Sequence, residues 1–233
     1  MNRRAFLAIA SAYAVPPSLA QGRIPVVGVL KQKGNPYLEV LRQGFREIGH
    51  IENRTIVLDA REVTPDEFPV HAADLARARV DVIVAFGSQA TDAARRATTT
   101  IPIVMPGASD PIGTGFVASL ARPGGNITGM SLLNTEISGK RLQLLRDMIP
   151  GVSRIAIVWN PDDPAAHFSM RETQTLAPAL GFSTIDVKTR VPADFEPAFA
   201  AAAEHGAGAA VVLGAPLMTI SAALIAEIAA RRK

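Results

Sequence analysis

The residues best suited to hold a ligand stand in small polar turns that follow apolar runs. Val82–Phe86 ends in Gly87-Ser88-Gln89-Ala90-Thr91, and Ile103–Met105 leads to Gly107-Ala108-Ser109-Asp110-Pro111. Glycine takes a positive φ at little cost, and serine suits a helix N-cap. The N–H groups of the first helical turn, here Ser88, Gln89 and Ala90, would then form a seat for a carboxylate or phosphate at the positive end of the helix dipole. Capping and anion binding share this geometry, so both readings of Ser88 stand. Ser109 and Asp110 occupy the next turn. Asp110 could receive an ammonium or hydroxyl, or cap a helix beginning at Pro111, and capping is the favoured reading. In Trp159-Asn160-Pro161-Asp162-Asp163, Asn160 is a further hydrogen-bonding candidate. Asp162 and Asp163 read as a solvated turn, because two adjacent acids fall short of the ligand number of a cation site. Tyr37, after the loop Lys31–Pro36, could stack on a ligand, although a lone tyrosine at a helix start more often packs.

No catalytic set accompanies these turns. The four histidines, His50, His71, His167 and His205, lack the spacing of a metal motif. No G-x-S-x-G, Walker A or G-x-G-x-x-G pattern follows a strand, and Ser88 has no evident base partner. With no cysteine in the chain, disulfides, thiolate metal sites and thiol nucleophiles are excluded. The expectation is a binding protein, not an enzyme, with no cofactor and no metal. A net charge of +3 with scattered Lys and Arg, and 5% aromatic residues, argues against nucleic acid as a partner.

The elements that must position the turns follow a strand–turn–helix rhythm. The chain has 233 residues, 48% hydrophobic and 19% charged, which suits one large or two small globular domains. Strands are expected at Ile24–Leu30, Arg54–Ala60, Val82–Phe86, Pro102–Met105 and Ile127–Met130. Helices are expected at Tyr37–Gly49, Pro65–Arg79, Ser88–Ala97, Pro111–Leu120 and Thr135–Ile149. The rhythm restarts with strands Arg154–Trp159, Phe182–Val187 and Ala209–Leu213, and with helices Pro164–Leu180, Ala193–His205 and Pro216–Arg232. The strands are continuous apolar runs, as in parallel sheets buried on both faces. Alternating β and α elements imply an α/β fold of two doubly wound, Rossmann-like lobes, and ligands bind at the carboxyl ends of such strands. The lobes are expected at 21–131 and 132–233. Residues 1–20 read as an export signal: a basic Met1-Asn2-Arg3-Arg4, an apolar Ala5–Val15, and Ser18-Leu19-Ala20 before the cleavage point. Arg3-Arg4 resembles a twin-arginine signal. No other apolar run approaches the ~18 residues of a membrane span, so no direct membrane anchor is expected.

The stretches TTTIPIV, the SDP after it, LARPGGNITG, KRLQLLRDMIP and RIAIVWNP resemble the ABC transporter substrate-binding protein family related to tryptophan- and tyrosine-type uptake systems. The resemblance runs along the whole chain. It implies a type I periplasmic-binding fold whose lobes close on a small ligand by hinge motion, with ligand contacts at Ser88, Gln89, Ala90, Ser109 and Asp110. It also implies a periplasmic monomer that performs no chemistry, carries an amino acid or related carboxylate, and docks on an ABC permease served by a separate ATPase. A sensing module of the same fold is the alternative. Relatives continue for roughly another hundred residues by the usual strand count of such sheets. The second lobe is therefore expected to be truncated, with some of its contacts missing, and a non-functional fragment is a further alternative.

Overall fold

A computed structural model describes residues 23–232. The export signal read in residues 1–20 lies outside the described residues. The order is β1 (Val26–Gln32), α1 (Tyr37–Glu47), β2 (Val57–Val63), α2 (Phe68–Arg77), β3 (Val82–Ala85), α3 (Ser88–Ala97), β4 (Ile103–Ser109) and β5 (Ile127–Leu132). There follow α4 (Ser138–Met148), β6 (Arg154–Trp159), α5 (Ala166–Leu176), β7 (Ser183–Lys188), α6 (Phe195–Glu204), β8 (Ala209–Val212), α7 (Pro216–Ile220) and α8 (Ala222–Arg231).

The strands form two all-parallel sheets, ordered β2-β1-β3-β4-β5 and β7-β6-β8. Each reverses strand order beside its first strand, and there the strand ends splay to leave a crevice for ligand. Chain passes from one sheet to the other through Leu133–Ile137.

Side-chain size decides which helices lie close to the first sheet. Ala90, Ala93 and Ala94 on α3 pack with Phe68, Ala72 and Leu75 of α2 against Ile83, Ala85, Ile103 and Met105. Among the described residues the opposite face carries α1 alone, whose Leu38, Leu41 and Phe45 meet Val27, Val29 and Val84. That helix does not reach β5, where Met130 is 64% and Leu132 48% exposed. The second sheet is covered on both faces, by Leu142, Ala166 and Met170 of α4 and α5 and by Phe195, Leu217 and Ile225 of α6 to α8.

Some expected elements differ. No helix forms over Pro111–Leu120, where the described chain runs in turns. Asp110, at φ 43°, accepts the Gly113 N–H at 3.0 Å, and the consecutive Phe116 and Val117 are both buried in the core. Turns held by Asp110 take the place of the expected helix. Pro216–Arg232 splits at Ser221 into α7 and α8. The second strand starts three residues later than expected, after a turn in which Asn53 has φ 62°. Ile48, at helical spacing from Leu38, Leu41 and Phe45, is 71% exposed.

Gly129 sets the β4–β5 register. It pairs with Met105 at φ 146°, and a Cβ there would lie 2.1 Å from the Met105 carbonyl oxygen. Backbone cannot yield to that overlap without breaking the ladder. Gly129→Ala is expected to cost about 3 kcal/mol or more, measured as a fall in the urea midpoint; an unchanged midpoint would contradict this packing.

Candidate functional site

Between the lobes lies a cavity of about 770 Å³. The carboxyl ends of β1, β3, β4 and β8 and the β6–α5 turn all supply residues to it. Its polar part holds Ser88, Ser109, Asn134 and Asp163, with Asn35 and Thr219 nearby. The apolar part is a trough between α1, through Val40, Leu41 and Phe45, and the uncovered Met130 and Leu132 of β5. Tyr37 and Phe86, both lining residues, stack with ring centroids 6.2 Å apart and planes 19° from parallel.

Local chemistry builds each corner. Lys31 is buried at the end of β1; its Nζ donates to the Asn35 carbonyl at 2.7 Å and pairs with Glu62 at 2.9 Å. Asn35 Oδ1 then accepts the Tyr37 N–H at 3.0 Å, fixing the turn that presents both residues to the cavity. On the segment between the sheets, Asn134 Nδ2 donates to Ser109 Oγ at 2.6 Å, while Arg141 Nη2 donates to Asn134 Oδ1 at 2.8 Å. This joins a β4 end in one lobe to α4 in the other. Burial pulls the Arg141 guanidinium below its usual range.

The lobes approach each other closely beside the cavity. Gly87 takes φ 88° at the cap of α3, and a Cβ there would sit 2.6 Å from Pro216 Cγ of the second lobe. Only a residue without a side chain permits that approach. Next to it, the Ser88 hydroxyl faces Asp163 across the interface. Ser88 Oγ accepts the Ser109 N–H at 3.3 Å, leaving its proton for the Asp163 carboxylate. Asp163 is 2% exposed, and one of its oxygens accepts the Ala165 N–H at 2.9 Å. Burial pushes its carboxyl up to about 6, against the opposing pull of the Ala165 and Ala166 N–H groups and of Ser88.

These positions redistribute the expected site. Ser88 and Ser109 line the cavity together. Ser88 is the first residue of α3, not its cap; Gly87 holds the cap position. The α3 ladder begins at the Thr91 N–H to the Gly87 carbonyl, so the N–H groups of Ser88, Gln89 and Ala90 have no acceptor within the helix. The Gln89 side chain lines a second depression of about 910 Å³ on the other side of the interface, and Ala90 lies in the core. Asp110 is taken up by its own turn. Asn160 is buried with Oδ1 accepting the Asp162 N–H at 3.0 Å. Of the acid pair read as solvated, Asp162 meets Arg190 at 3.2 Å, whereas Asp163 is buried in the cavity wall. Its place after a strand end and before Pro164 was the one available signal; burial came from the opposing lobe. Asn134 carried no signal at all.

Two parallel α/β lobes joined at a crossing segment and meeting over a cavity at their strand ends define a two-lobed ligand-binding protein. The model of the family described as ABC transporter substrate binding protein matches residues 40–232, and the chain belongs to this family. It is 28% identical over 144 residues to a tyrosine-binding protein of Clostridioides difficile strain R20291, covering 59% of this chain and 41% of the relative. A crystal structure of a conserved domain protein from Vibrio cholerae O1 biovar El Tor strain N16961 is 28% identical, with a TM-score of 0.71 over 78% of this chain and 63% of that one. The ABC domain from Streptococcus pneumonia in complex with L-Trp has a TM-score of 0.78 at 19% identity over 90% of this chain and 72% of that one. That last likeness speaks for the fold alone. The chain thus spans less than half of the curated relative and less than two thirds of the Vibrio protein. Among the described residues no helix is long and apolar enough to cross a membrane.

Asp163 makes a measurable demand on stability. Its folded carboxyl holds a proton more tightly than an unfolded aspartate, so its burial penalty is present above pH 6 and is relieved as pH falls from about 6 toward the unfolded value of 3.8. Asp163→Asn is expected to stabilise the ligand-free protein at pH 7.5 by about 1–3 kcal/mol, or roughly 2–8 °C in Tm. The gain should shrink at pH 5. Thermal scans of both proteins at both pH values check this; a destabilised variant at pH 7.5 would show that the hydrogen bonds outweigh the charge burial.

Proposed function

We propose that this chain is the solute-binding component of an ABC importer and captures a small ligand, an amino acid or related carboxylate, in the cavity between its lobes. The observation that carries the reading is the cavity, to which both lobes contribute polar residues at their strand ends. Membership of the substrate binding protein family supports it, as does the relative named as a tyrosine-binding protein. In this reading the ligand carboxylate sits on the N–H groups that open α3, beside the Ser88 and Ser109 hydroxyls. The aromatic pair Tyr37 and Phe86 borders its apolar part. The lobes, 21–131 and 132–233, open and close about Leu133–Ile137. The loaded protein then meets a membrane permease driven by a separate ATPase, and the ligand leaves chemically unchanged. The basic, apolar and small-residue segments of residues 1–20 support export to the periplasm, and Arg3-Arg4 suggests the twin-arginine route.

Calorimetry on the full chain with the common amino acids and small aromatic carboxylates tests the reading. At least one should bind, and Ser88→Trp, which fills the polar end of the cavity, should weaken it about 100-fold or more. Undiminished binding by a folded Ser88→Trp protein would move the site elsewhere.

A further inference from the structure

We propose that the sheet face left bare between α1 and β5 is covered, in the chain that still carries residues 1–20, by that chain's own apolar run Ala5–Val15. The inference builds on the export reading of residues 1–20 and does not depend on a solute in the cavity.

The bare face has room for one helix. Five strands about 4.8 Å apart make a sheet face about 20 Å wide, enough for two helices of about 10 Å each. One face of the first sheet carries two, α2 and α3. Among the described residues the other carries α1 alone. The rest of that face is bordered by Met130 and Leu132 of β5 and by a second side of α1, through Tyr37, Val40, Gly44 and Ile48. Val40 is 63% and Ile48 71% exposed. A Cβ on Gly44 would meet nothing within 4 Å, so the middle of this wall is open to a close neighbour. The polar residues of α1 are engaged elsewhere: Arg42 meets Glu39 and Glu52, and Gln43 meets Glu47. Soluble chains rarely leave so continuous an apolar surface without something to cover it.

Chemistry selects the occupant. A rod lying in this slot meets apolar surface beneath it and on both flanks, so it needs an apolar circumference. Ala5–Val15 reads AFLAIASAYAV, with no charge and no proline. As a helix it would be about 16 Å long, a match for the 11 residues of α1. The attachment also points there. Arg23 pairs with Asp81 at 2.7 Å, and the Val26 N–H donates to the same carboxylate. Asp81 stands just before β3, so the chain enters β1 on the side of β3, β4 and β5, away from the β2 edge. The seven residues Pro16–Gly22 span up to about 23 Å, whereas β3 and β5 lie about 10 Å apart. Cleavage after Ala20 would then uncover an apolar wall that the uncleaved chain keeps filled.

The chain contains no cysteine, so an introduced pair reports contact without background. The test uses the full chain, with residues 1–20 shown intact by mass, and a short bismaleimide. Ala8→Cys with Met130→Cys should cross-link within one chain about ten times more than the control pair Ala8→Cys with Val70→Cys, which a loose tether would serve equally. Val70 is exposed on α2, against the opposite face of the sheet. Leu7→Asp, which brings a charge into the slot, should lower the first cross-link about tenfold and leave the control as it is. Met130 and Val70 are both exposed, so neither cysteine disturbs the core, and circular dichroism confirms folding. Equal yields from the two pairs, no cross-link at all, or an unchanged yield in Leu7→Asp overturns the inference. Cross-links found only between chains also overturn it and assign the trough to a second copy. None of these results bears on export itself, which is read separately by whether residues 1–20 are removed on secretion.

Discussion

The Asp163 carboxylate lies between two lobes that approach closely enough to exclude water from it. That approach depends on Gly87, because any Cβ there would strike Pro216. It also depends on Ser88, whose hydroxyl takes a backbone N–H on one side and faces the carboxylate on the other. A charge placed so deeply raises the free energy of the empty state. The same low-dielectric setting strengthens every electrostatic interaction the carboxylate makes.

Parallel sheets impose the rest of the arrangement. Their strands need helices on both faces, and their crossovers bring every strand's carboxyl end to one edge. Turns far apart in sequence, after β1, β3, β4, β6 and β8, therefore share one rim. The second sheet meets the demand for two covered faces. The first meets it with α2 and α3 on one side, while on the other α1 leaves β5 bare. The apolar trough in the cavity is this same uncovered surface, seen from between α1 and β5. Its polar end, where the lobes meet, has a different origin and is where the charge is concentrated.

Much of the fold was legible in the sequence because its signals are local. Continuous apolar runs marked the eight strands among the described residues to within a few positions, and the alanines of α3 fall at helical spacing. The helix expected at Pro111–Leu120 did not form; Asp110 closes a turn there, with its carboxylate on the Gly113 N–H and its carbonyl on the Thr114 hydroxyl. Ser88 and Ser109 were legible as polar residues in strand-end turns. Gln89 was placed with them by its neighbours, but successive helix residues point 100° apart, and its side chain faces the other side of the interface.

What the sequence determined by itself was the class of fold, the rim on which ligand-facing turns must lie, and the family resemblance carried by its longest motifs. These follow from short-range patterns: hydrophobic runs, glycine turns and helix starts. What only the tertiary structure decided was which side chains in those turns face one another. Asp162 and Asp163 are adjacent and chemically identical, and in their own segment only the place of Asp163 before Pro164 sets it apart. One meets an arginine near the surface, and the other is sealed by Ser88, some 75 residues earlier in the chain. Burial is a property of both walls, and the second wall comes from the other lobe.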